Sequence, residues 1–175
     1  MKGPENEMLL LDINNPIEIT SYEKALYRSF SSSLTNTSDL IFDINHKEKT
    51  LRTKIPYNSQ EIYTYKWSDA IVAGMAINFN MQKNLQLELL NFNVVLRENA
   101  CEALIIFSVL DFFKSMSVLK LLAECFIKRI EEKNISTVYA TSSEKRSISY
   151  KQLGFRVIDR YMFEGQGKCL LQLDR

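Results

Sequence analysis

The sequence predicts a single α/β domain spanning residues 1–175, and three stretches carry that expectation. Ile62 to Trp67 alternates in polarity, Ser68-Asp69 supplies a turn, and Ala70 to Phe79 continues as apolar chain, which together read as an antiparallel hairpin. Ala103 to Val109 is solidly apolar, as a central strand buried on both faces requires. From Ser117 to Lys133, Val118, Leu122, Cys125, Phe126 and Ile130 recur at helical spacing. Lys120, Glu124, Lys128, Glu131 and Glu132 take the other side. A chain of 175 residues, 46% hydrophobic, has enough apolar material for one core.

The remaining elements follow in order. Met8 to Ile13 reads as a first strand closed by Asn14-Asn15-Pro16. Thr20-Ser21-Tyr22-Glu23 has the form of a capping box, which predicts a helix from there to about Phe30. Ser31 to Ser38 is polar, and the stretch on to Tyr57 is expected to hold a loop and a second short helix. Leu85 to Leu90 alternates and reads as a strand. After the long helix, Asn134 is a candidate C-cap, Ser136 to Ala140 a strand, and Ser143 to Gln152 a short helix closed by Gly154. Phe155 to Phe163 and Lys168 to Leu173 flank Gly165-Gln166-Gly167 as a last hairpin.

Composition excludes several function classes. Lys and Arg total 22 against 21 Asp and Glu, with no long run of either sign, so neither nucleic acid nor an anionic membrane is expected as partner. Cys101, Cys125 and Cys169 are odd in number and widely spaced, which argues against a disulfide framework or a zinc site. The opening residues Met1 to Glu7 lack the features of a secretory signal, and Ala103 to Leu110 is too short to span a bilayer, so a cytoplasmic location is expected. His46 sits in a polar stretch with no ligand at metal spacing and reads as a surface residue. No Gly-x-Ser-x-Gly elbow or Walker loop is present.

Two segments carry a family resemblance. Val109-Leu110-Asp111-Phe112-Phe113-Lys114-Ser115-Met116-Ser117-Val118-Leu119 is similar to a core strand running through a Val-x-Pro-x-x-Arg-Gly-x-Gly-x-Gly loop into a long helix. Ser143 to Phe155, ending Tyr150-Lys151-Gln152-Leu153-Gly154-Phe155, is similar to an Asn-x-x-Ala-x-x-x-Tyr-x-x-Leu-Gly-Phe signature. Both are motifs of the GNAT acyltransferases, which the chain resembles from about Asp69 onward. The resemblance implies a GNAT-type fold, a mixed, mostly antiparallel sheet of about seven strands flanked by helices. It also implies an acyl-CoA or acyl-phosphopantetheine cosubstrate and no metal. A loop at a helix N-terminus offers backbone N–H groups and a positive dipole end to the coenzyme's diphosphate. By the resemblance, Lys114, Ser115, Met116, Ser117, Val118 and Leu119 fall at that loop, and Phe107, Ser108 and Val109 pair with the pantetheine arm. The family's glycines are replaced, and Leu119 stands where the family has glycine or alanine.

Tyr150 has two readings, an amphipathic core tyrosine or, by the motif, the acid that protonates the departing thiolate. The insertion with Leu85-Gln86-Leu87-Glu88 and the strand Glu102 to Val109 resemble the acyl-homoserine-lactone and N-acyl amino acid synthases, a branch whose donors include acyl carrier protein. Glu102 and Glu88 are the carboxylates expected to border the acceptor site and accept a proton from an attacking amine, with strand-end solvation as the alternative. Tyr57, Tyr63, Tyr65 and Trp67 either line an acceptor pocket or pack across strands. Arg156 and Arg160 read as a solvated face. The expected activity is acyl transfer to an amine of a small molecule or peptide. The rival is a non-catalytic module of the same fold that binds an acyl carrier or another protein.

Overall fold

The computed structural model describes residues 8–33, 40–163 and 165–175; the opening Met1–Glu7 and residues 34–38 of the polar loop lie outside the described residues. Seven strands form one sheet in the order β1-β4-β5-β6-β7-β9-β8. These are β1 (Met8–Leu10), β4 (Glu61–Trp67), β5 (Ala70–Asn78), β6 (Ala100–Ser108), β7 (Thr137–Ser143), β8 (Arg156–Phe163) and β9 (Gln166–Asp174). Every neighbouring pair is antiparallel except β6 with β7. The predicted mixed, mostly antiparallel seven-stranded sheet is therefore present.

The hairpin of β4 and β5 turns at Ser68 and Asp69, both with positive φ of 48° and 63°, the geometry that matches the twist of two joined strands. Gly74 in β5 lies under Phe107 of β6. A Cβ there would stand 2.7 Å from the Tyr63 carbonyl oxygen and 2.8 Å from Phe107 Cε1. Gly74→Ala is expected to destabilise the fold by about 1–3 kcal/mol through overpacking, read as a lowered denaturant midpoint with an unchanged slope. An unchanged midpoint would mean that the β5–β6 contact is looser than this.

Helix α1 (Pro16–Phe30) starts four residues before the expected capping box. Asn15 is the N-cap, its side chain accepting from Ile17 N at 3.0 Å, and Pro16 takes the first helical position. Proline's fixed φ and missing N–H suit that position, so Asn-Pro outcompetes Thr20 as the start signal. The Thr20 hydroxyl instead donates to the Pro16 carbonyl at 2.8 Å. The second short helix expected before Tyr57 is replaced by a separate two-stranded hairpin, β2 (Phe42–Asn45) with β3 (Thr50–Thr53), followed by a single 3₁₀ turn at Tyr57–Ser59. Phe42 and Leu51 are the buried residues that fix it, joining Tyr22, Ala25, Leu26 and Phe30 of α1 over Ile62, Ile71, Ile105 and Phe107 of the sheet.

The strand expected over Leu85–Leu90 is a short helix, α2 (Gln86–Leu89). Leu85, Leu87 and Leu90 are buried in a cluster with Phe92, Ala100, Tyr139 and Leu170, while Glu88 is exposed. Helix α3 (Phe112–Glu132) covers the opposite face, packing Val118, Leu122 and Ile130 with Met75, Ile77, Cys101, Val138 and Ala140. It begins five residues before Ser117, because Asp111 caps it by accepting from Lys114 N at 3.1 Å. Helix α4 (Glu144–Gln152) is capped by Ser143 and ends with Gly154 at φ 92°, whose N–H donates to the Lys151 carbonyl.

Candidate active site

The parallel pair β6–β7 is short. Its ladder runs from Ala100 opposite Thr137 to Ala103 opposite Ala140 and stops there, although β6 continues to Ser108 and β7 to Ser143. Beyond Ala103 the strands have no common ladder, and a gap opens in the middle of the sheet.

Alternation along β6 decides which backbone groups face that gap. Val109 N donates to Val72 O at 2.8 Å, so Val109 and, two residues back, Phe107 turn their polar groups toward β5. Ser108 and Ile106 then face the gap. A bulge against β5 leaves Leu104 between the rungs Ile105–Ala76 and Ala103–Ile77, and its carbonyl also turns toward the gap, where Gln86 Nε2 reaches it at 3.1 Å. Of the three residues expected to pair with a pantetheine arm, only Ser108 presents its backbone there. Phe107 is buried under α1, edge-on to Tyr22 with ring centroids 5.9 Å apart. Leu104 and Ile106, absent from the sequence-based set, present theirs, and Ile106 is also 39% exposed.

Glu102 lies at the inner end of the gap and is fully buried. Its carboxylate accepts from Gln86 N at 2.9 Å and Leu87 N at 2.8 Å, capping α2. Burial raises this carboxyl from 4.5 to about 7, against the lowering effect of those two N–H donors. Such a value suits a group that takes and returns protons near neutral pH. Glu88 is on the exposed side of α2, from where its negative charge adds to the upward shift of the Glu102 carboxyl.

At the outer end, Ser108 Oγ and Ser115 Oγ are 2.8 Å apart, and Ser115 Oγ donates to Leu110 O at 2.9 Å. Residues 114–119 form the first turns of α3, so their N–H groups are used in the helix or its cap. Ser115 N donates to Asp111 O at 2.8 Å. The Lys114 ammonium lies 3.6 Å from Asp111 Oδ2 and 5.3 Å above the Trp67 ring. Met116 and Ser117 are exposed, Val118 is buried and Leu119 half-buried. The Asp111 carboxylate, paired with Lys114, thus caps the helix end at the loop that the resemblance gives to the diphosphate.

Tyr150 of α4 is half-buried and packs, with Val109, Leu110 and Leu119, on the core beneath α3. Its ring meets Phe155 edge-on at 5.4 Å, which is what Leu-Gly-Phe contributes locally. Burial raises the hydroxyl's pKa, keeping it protonated at neutral pH. The four aromatics do not form one pocket. Tyr57 donates to Glu23 at 2.7 Å beside α1, Tyr63 donates to Glu61 at 2.8 Å, and Tyr65 is buried in the α3-side core. Arg156 pairs with Asp174 at 2.8 Å and Arg160 with Glu144 at 3.9 Å. His46 Nδ1 meets the Tyr27 hydroxyl at 3.0 Å on the exposed β2–β3 turn.

No family model and no curated protein matches the sequence. Solved structures do match the fold. A CoA-dependent acyl-homoserine lactone synthase, BjaI, solved with SAM and isopentyl-CoA, superimposes with a TM-score of 0.71 over 98% of this chain and 83% of that one, at 12% identity. The ribosomal-protein-S18-alanine N-acetyltransferase from Escherichia coli gives 0.58 over 97% and 93%, at 10% identity. Ard1 from Thermoplasma volcanium gives 0.57 over 97% of each chain, at 15% identity. With its split parallel pair and flanking helices, the chain has the fold of the GNAT acyltransferases.

Proposed function

We propose that this protein is an acyltransferase that moves an acyl group from a pantetheine thioester to an amine. The observation that carries the reading is the gap between β6 and β7, lined by the ladder-free backbone at Ile106 and Ser108, beyond the Leu104 carbonyl that Gln86 already holds. A pantetheine arm has alternating amide groups and suits such an edge, as an added strand does. The amine nitrogen attacks the thioester carbonyl carbon. Backbone N–H groups of β6 facing the gap stabilise the tetrahedral oxyanion. As the carbon–sulfur bond breaks, Tyr150 gives its proton to the thiolate, and the nitrogen loses one to Glu102, directly or through a water. Each Glu102 oxygen keeps a lone pair beyond the backbone N–H it accepts. The higher similarity to the acyl-homoserine lactone synthase, solved with SAM, than to the ribosomal-protein-S18-alanine N-acetyltransferase supports a small-molecule amine as acceptor.

The Asp111 cap bears on the donor. Acyl carrier protein presents acyl-phosphopantetheine without a diphosphate and adds its own protein contacts. We therefore expect acyl-phosphopantetheine on carrier protein to be used at least as well as the same acyl chain on coenzyme A. Asp111→Asn removes the repelling charge and is expected to improve coenzyme A thioester use about fivefold or more relative to acyl-pantetheine. Thiol release with both donors measures this, and equal improvement for both would break the link between Asp111 and the diphosphate. A non-catalytic carrier-binding module is the second reading, favoured by the same cap. Binding of acylated carrier without turnover on a panel of amines would establish it.

A further inference from the structure

Gln86 occupies the gap from the face opposite α3. Its side chain is almost wholly buried, 1% exposed. Nε2 donates to the Leu104 carbonyl on β6 at 3.1 Å and to Thr141 Oγ1 on β7 at 2.8 Å, so one amide nitrogen ties both strands where their ladder has ended. The arrangement fixes which end of the amide is which, since a flipped carboxamide would set oxygen against the Leu104 carbonyl oxygen. Oε1 is then left buried with no hydrogen-bond partner among the described residues. A buried, unpaired carbonyl of this kind costs about 1–3 kcal/mol, and the pinned nitrogen prevents it from turning toward another donor. The Gln86 backbone N–H is meanwhile held by Glu102.

We propose that Gln86 binds the acceptor, its Nε2 holding the cleft at fixed width and its free Oε1 accepting a hydrogen bond from the attacking amino group. This assignment rests on the acyl-transfer reading and extends it to the acceptor's place. The amine would sit on the sheet face opposite α3 and beside Glu102, the group proposed to take its proton. A desolvated carbonyl favours a ligand that brings a hydrogen-bond donor, so amines are selected over acceptors lacking one.

Two measurements on the full chain test it. In the first, the wild-type side-chain amide signal of Gln86 is followed by NMR as S-adenosylmethionine or methionine methyl ester is added. A saturable shift of that signal, absent when a des-amino analogue is added, is expected; no shift with either amine overturns the assignment. In the second, Gln86→Met keeps the length of the side chain and removes both polar ends. Acceptor KM is expected to rise about tenfold or more and by at least about fivefold more than donor KM, which loses only the tie between the strands, whereas equal changes in both, or neither, would make Gln86 a structural strut. If wild-type protein turns over no donor, the acyl-transfer reading falls. The NMR titration then still decides whether Gln86 receives an amine, and it needs no variant that folds.

Discussion

Replacing Tyr150 with phenylalanine is expected to lower turnover by about a hundredfold or more while leaving the unfolding midpoint near the wild-type value. The ring stays, so its edge-on contact with Phe155 and its packing on the α3-side core stay with it. What is lost is a proton that burial keeps on the hydroxyl. If the departing thiolate takes that proton in the transition state, a positioned acid contributes about a hundredfold to ten-thousandfold. If the hydroxyl instead serves a buried partner, the loss appears in stability, about 1–3 kcal/mol, with transfer spared. Single-turnover transfer and denaturant unfolding on the same variant separate the two, and unchanged turnover removes Tyr150 from the mechanism whatever its stability does.

Glu102→Gln is expected to have the second largest effect and to alter the pH profile as well as the rate. With its carboxyl at about 7, Glu102 is a competent base only once ionised, so wild-type turnover should rise with pH and level off above about 7. The variant should lose about a hundredfold and this rise together. Stability gives an independent readout with a defined sign. A carboxyl raised from 4.5 in the unfolded chain to about 7 in the fold binds its proton more tightly when folded. Its contribution is therefore full below about 4.5, falls as pH rises toward 7, and is flat above. The fall is on the order of 3 kcal/mol, and Glu102→Gln should abolish it. A variant that loses stability through the α2 cap but keeps the wild-type rise of rate with pH would make Glu102 a structural cap alone.

Much of this architecture was legible from particular residues. Ser68-Asp69 marked the β4–β5 turn, Ala103 to Val109 the buried strand, and Leu153-Gly154-Phe155 the end of α4, because each signal is local and none competes with another. The failures have a common cause. Asn15-Pro16 was read as a strand terminator although it is also a helix start, and α2 forms because Glu102, sixteen positions away, caps its N–H groups. An alternating pattern such as Leu85 to Leu90 cannot report that distant carboxylate. The start of α3 was missed for the opposite reason, since Asp111 is a strong local cap that the likeness to a glycine loop obscured.

The site was less legible than the fold. The gap itself leaves no mark in the sequence, because it is created by a ladder that ends and a bulge at Leu104, and neither has a residue-type signature. Phe107 and Val109 were placed on the arm by counting along a motif. The Val109–Val72 bond fixes the alternation, which turns the backbone of Ile106 and Ser108, rather than that of Phe107 and Val109, toward β7. Gln86 entered only as a departure from a motif, yet it bridges both strands. One usable signal was present, a polar amide between leucines that all become buried.

The central claim is that the β6–β7 gap receives an acyl thioester, and backbone amide NMR with a non-cleavable acyl-pantetheine thioether tests it most directly. The predicted result is a saturable set of shifts concentrated on Leu104 to Val109 of β6 and its extension and on Thr141 to Ser143 of β7, with the β2–β3 hairpin unmoved. Saturable binding whose shifts fall elsewhere, or no shift along these strand ends, would contradict it.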